Sequence, residues 1–162
     1  MSVIDVIDPD ANGGRSCIVL RGPPPRADFP ATAGPIAVHE RLASLYLLVA
    51  SAWTDRGREH VGFVLKARYA LERDAGLMRQ VDTAFSSNVH FSDWCHGGTV
   101  PEGLVAWRRY QPIRNQPVTV YLVRWDNPQP RVGVEEIEFT SPGNCVPIVI
   151  AVTGVRWDPA SK

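Results

Sequence analysis

The chain contains almost no lysine: Lys66 and Lys162 are the only two, so nearly all of its positive charge is arginine. Lys plus Arg balances Asp plus Glu at 17 each. A neutral whole-molecule field argues against a general binder of nucleic acid or anionic membranes, which carries a basic excess. No apolar run approaches the ~18 residues of a membrane span. The three cysteines, Cys17, Cys95 and Cys145, cannot all pair within one chain. That points away from a disulfide framework and toward buried or idle thiols in a reducing compartment. The opening MSVIDVIDPDANGG places acids where a secretory signal needs a basic start and an apolar core. The expectation is a cytoplasmic protein, unless the sequence is a mature or excised extracellular domain. Also missing are a Gly-x-Ser-x-Gly elbow, a Cys followed by a suitably placed His, and a phosphate-cradling glycine loop, so no enzyme is expected.

A convincing helical pattern is missing too, and runs of strand character recur instead. With 162 residues and 44% hydrophobic content, the chain can bury a core as one domain spanning 1–162. From Pro117 to Trp157 three strands follow each other: Val118–Trp125, Val134–Ser141 and Val146–Trp157. In the middle one, Val134, Ile137 and Phe139 are apolar while Glu136, Glu138 and Thr140 hold the polar alternation of a half-buried strand. The outer two are richer in apolar residues and are expected to sit deeper. Upstream, Val3–Ile7, Cys17–Leu20, Val61–Leu71, Leu77–Phe85 and Leu104–Tyr110 read as strands, with a hairpin at Glu72–Gly76. Gly22–Pro35 is a proline-rich surface crossing. Ile36–Trp53 reads as two short strands, 36–39 and 44–53, with a turn or a single helical turn between them. The expected fold is all-β: an antiparallel β-sandwich of jelly-roll type.

Ser86–Glu102 lacks periodicity and gathers His90, Asp93, Trp94, Cys95 and His96 beside glycines, as a functional loop does. Tryptophan faces stack on the C–H faces of sugar rings, and Asp, Asn or Arg beside them hold hydroxyls. Trp94 with Asp93 and His90, and Trp125 with Asp126 and Asn127, have that chemistry; for Trp125 the competing reading is a strand end closed by a turn. Trp53 and Trp107 read as core. Asp8, Asp10 and Asn12 alternate like the first half of a calcium loop, but Val19 stands where its bidentate Glu belongs, and an ordinary turn serves as well. His90, Cys95 and His96 match no closed zinc spacing. Glu136 and Glu138 share a strand face and read as a solvated stripe, not a glycosidase pair.

The segments IDPDANGGRSCIVLRG (7–22), RLASLYLLVASAW (41–53), NVHFSDW (88–94), VAW (105–107), VRWDNPQP (123–130) and VEEIEFTSPGNCVPIVIAVT (134–153), in this order, resemble a galactose-binding-like β-sandwich accessory module of bacterial proteins. Such modules are often appended to glycoside hydrolases. The most specific parts are Trp125–Asn127–Pro128–Pro130 and Asn88–Val89 with Asp93–Trp94. The chain departs from that pattern at LERDAG, which replaces the usual hairpin, and at Val49, where the family strand often carries His. The resemblance implies a jelly-roll, galactose-binding-like sandwich with a non-catalytic recognition role. Together these readings predict a carbohydrate-recognition module whose site lies at one end of the sandwich, built from the 86–102 loop and the 125–130 turn. The alternative is an assembly protein whose loop aromatics anchor protein contacts or a homo-oligomer.

Overall fold

The computed structural model describes residues 14, 16–55, 57–70, 79–113 and 115–160. The candidate calcium loop of Asp8, Asp10 and Asn12, the Val3–Ile7 run and the Glu72–Gly76 hairpin lie outside the described residues. Among the described residues eight strands follow in chain order: β1 (Ile18–Val19), β2 (Thr32–Ala52), β3 (His60–Tyr69), β4 (Gln80–Ser87), β5 (Leu104–Gln111), β6 (Gln116–Asp126), β7 (Gly133–Thr140) and β8 (Val146–Arg156). Every pairing between them is antiparallel. The fold is all-β.

Strand β2 organises the molecule. Its first half, Thr32 to Arg41, pairs with β7, and its second half, Leu42 to Ala52, pairs with β8 on one side and β6 on the other. One half-sheet therefore runs β1-β8-β2-β6-β5 and the other β2-β7-β3-β4. The expected break at residues 40–43 is instead continuous strand, flanked by register shifts at Ala37/Glu40 and Leu42/Ser44 where β2 passes from β7 to β8. His39 there takes φ +52°. An extra residue bends and twists a strand without ending it, so β2 leaves one half-sheet for the other as a continuous chain. Pro35 is tolerated because this part of β2 is paired on one side only, where a missing N–H costs no ladder bond.

The two half-sheets close on a shared core. Leu45, Leu47 and Val49 from β2, and Tyr121, Val123 and Trp125 from β6, meet Phe63, Leu65, Phe85, Ile137 and Phe139 from the other half. Phe63 stacks on Phe85 at 5.0 Å and on Phe91 at 5.6 Å, with Phe139 edge-on at 5.9 Å. The Trp125 indole N–H donates to Thr83 Oγ1 across the layers at 2.9 Å. Burial on this scale is the main force holding the halves together. The arrangement is compatible with a β-sandwich. Strands β6 and β8 bury one face only: Tyr121, Val123 and Val149 point inward, while Val120, Leu122, Ile148 and Ile150 are half-exposed. Their apolar outward residues are therefore less deep than the sequence suggests. Among the described residues no helix is long and apolar enough to cross a membrane.

Candidate functional site

The 86–102 segment is irregular but tightly held. Phe91 is fully buried against Phe63 and pins the loop to the core. The Trp94 N–H donates to Ser51 O at the end of β2, and Trp94 O accepts from the Thr119 N–H at the start of β6. The Tyr121 hydroxyl donates to Gly98 O at 2.9 Å. Gly97 sits so close beneath that hydroxyl and the Asp93 carbonyl that a Cβ would collide with both. A loop fixed in this way can hold polar groups in place without loss of further entropy on binding.

A polar cleft of about 230 Å³ opens here, lined by Thr54, Gly57, Asn88, Ser92, Asp93 and His96. Asn88 adopts φ +63°, a left-handed conformation that Asn tolerates better than most residues. Its amide donates to Asp55 O and Arg58 O, and its Oδ1 accepts from the Ser92 hydroxyl at 2.9 Å. Asn88 thus ties Asp55 and Arg58 to the loop. Asp93 Oδ1 accepts the Cys95 N–H at 2.9 Å, which leaves a carboxylate with further acceptor capacity at the cleft. Nearby, burial pushes the Cys145 thiol up to about 12, opposed by its hydrogen bond with Thr54. It is an inert thiol.

The aromatic at this end is Trp53. The chain leaves β2 with Trp53 at φ +54°, immediately before Thr54 of the cleft, and the indole is 54% exposed. The Arg26 guanidinium lies 4.7 Å from its ring centroid. The core role expected for Trp53 is therefore corrected: a left-handed residue at the strand end turns the indole out of the core. The available signal was the polar TDRGREH turn that follows it at once.

The other expected site residues are divided. Asp93 lines the cleft, but Trp94 and His90 do not. Trp94 is half-buried. His90 serves the loop's own architecture. Its Nδ1 accepts the Ser86 N–H at 3.0 Å, which places the ring proton on Nε2, 3.2 Å from Glu102 Oε2. Trp125 is 3% exposed and offers no face for stacking. Asn127 is buried: its amide donates to Leu42 O, and its Oδ1 accepts from the Tyr69 hydroxyl and the Gln129 N–H. Burial raises the Tyr69 hydroxyl to about 12. Asp126 is exposed and pairs with Arg124. Because Thr119 touches Trp94 while Trp125 lies six residues further along β6, the 125–130 turn stands about 20 Å away along the strand. The two clusters do not share one end of the molecule. Among the described residues no group of three or more His, Cys, Asp or Glu side chains is placed to hold a metal ion. Comparison with protein-family models, with curated proteins and with solved structures found no match to this chain.

Proposed function

We propose that this chain is a non-catalytic carbohydrate-recognition module that reads its ligand at the cleft between the 86–102 loop and residues Thr54 and Gly57. One observation carries the reading: a preformed polar cleft lined by Asp93, Asn88, Ser92, His96 and Thr54 follows directly in the chain, at Thr54, from the exposed Trp53. A sugar ring presents hydroxyls around its rim and C–H groups on its faces. Trp53 supplies a stacking surface for the second, and the carboxylate, imidazole and hydroxyls supply partners for the first. The cleft's lining carries a single carboxylate, whereas glycoside hydrolysis uses a pair flanking the scissile bond, which supports binding without cleavage. The all-β fold and the resemblance to galactose-binding-like accessory modules point the same way. The jelly-roll, galactose-binding-like form is the finer reading of the fold that goes with this role.

The test is tryptophan fluorescence titrated with a panel of neutral and acidic soluble polysaccharides. Saturable quenching or a spectral shift is expected, lost in Trp53→Gly and weakened roughly tenfold in Asp93→Asn, an exchange that keeps an acceptor for the Cys95 N–H but removes the charge. Glycine suits φ +54°, so Trp53→Gly removes the platform without straining the turn. No saturable response across the panel, or a response that survives in Trp53→Gly, would overturn the proposal.

A further inference from the structure

A second surface stands apart from the cleft. Strand β5 pairs only with β6, so among the described residues its other edge has no strand partner for its backbone N–H and C=O groups. Edge strands are commonly short, bulged or guarded by charge, because an open edge templates pairing with another chain. Over its eight residues β5 carries one register shift, near its start at Val105/Trp107. Its side chains are exposed almost throughout: Leu104 is 68% accessible, Trp107 48% and Tyr110 55%, and Ile113 just beyond is 90%. Trp107, Arg109, Tyr110, Gln111, Pro112 and Val118 line a groove of about 460 Å³. The core role expected for Trp107 is thus corrected to an edge position.

Charge identifies the occupant. From Gly103 to Gln116 there is no Asp or Glu, while the adjacent Arg108 and Arg109 stand exposed on β5 itself, in a chain whose net charge is zero. A second copy paired edge to edge would bring the adjacent Arg108 and Arg109 of both chains into one cross-strand neighbourhood, where like charges repel. That disfavours self-pairing and favours an anionic partner. A polyanionic glycan or nucleic acid would use the arginines and rings but would leave Leu104, Val105, Ile113 and the backbone edge unused. An extended peptide uses all of them: main-chain bonds to the edge, apolar contacts to the side chains, and carboxylates facing the arginines. We infer that β5 is the docking edge for an extended acidic segment of a partner protein, which adds to the sheet as a further strand.

This inference is independent of the carbohydrate reading. Its test uses the full chain and a fluorescent peptide of alternating Glu and Val, eight residues long to match β5. Anisotropy should saturate, weaken with salt, and fall roughly tenfold or more in the R108E/R109E variant. Hydrogen exchange on the wild-type complex should show new protection at residues 104–111, a readout that does not depend on any variant folding. The inference is overturned if a Lys–Val peptide binds equally well, or if protection appears elsewhere. It is also overturned if heparin binds at this edge while the Glu–Val peptide does not, or if light scattering shows copies of the chain pairing through β5.

Discussion

Four of the five tryptophans show how the backbone decides a residue's fate. Trp125 is buried and bonded to Thr83, Trp94 is half-buried in a clamped loop, and Trp53 and Trp107 face solvent. Hydropathy cannot separate Trp53 and Trp107 from core residues, because both close apolar runs; the left-handed φ of Trp53 and the edge position of Trp107 are tertiary facts. Asp93 was legible because it sits in an aperiodic polar loop. Asn88, Ser92 and Thr54 were not, because what brings them together is the closure of β2 against that loop. Thr119 offers a test of the core at this scale. It is fully buried, and its Oγ1 has no hydrogen-bond partner among the described residues. An unsatisfied buried hydroxyl costs about 1–3 kcal/mol, so Thr119→Val should stabilise the protein by roughly 1 kcal/mol in urea unfolding. A loss of stability would reveal a partner for that hydroxyl.

Among the elements, β3 and β7 place Lys66 opposite Glu138 and Arg68 opposite Glu136, with N–O separations of 2.9 and 2.6 Å. The alternation in VEEIEFTS foretold a solvated stripe; that the stripe is one rail of an ion-pair ladder followed only from the register. The Lys66 ammonium, chiefly through its hydrogen bond, holds the Glu138 carboxyl below its ordinary 4.5, against the opposing effect of burial. Because the folded state binds this proton less readily than the unfolded state, the pair stabilises the fold above that value. The contribution is lost as pH falls through the lowered folded value. Glu138→Gln should cost under about 1 kcal/mol at pH 7, and the gap to wild type should close as acid protonates the wild-type carboxyl. Urea midpoints measured across the acid range check this. A gap that stays constant with pH would assign the cost to packing instead of charge.

At the level of the whole molecule, the strands were legible and their partners were not. Period-two patterning marks where a strand runs, and β3 to β8 fall close to their expected positions. It does not say that β2 serves two half-sheets, or that the outer face of β6 and β8 lies open while that of β3 and β7 carries charge. The shared strand has a mechanical consequence. Leu45 sits on β2 between Trp125 of β6 and Gly154 of β8, and its side chain is part of the core that both halves contribute. Neither half can lose β2 without exposing the other's apolar face, so the chain should unfold as one unit. Far-UV circular dichroism and tryptophan fluorescence should trace superimposable urea transitions. Leu45→Ala should lower stability by about 3 kcal/mol and shift both traces together. Two separated transitions, or a Leu45→Ala shift confined to one probe, would mean that the bend in β2 is a boundary between independently stable halves.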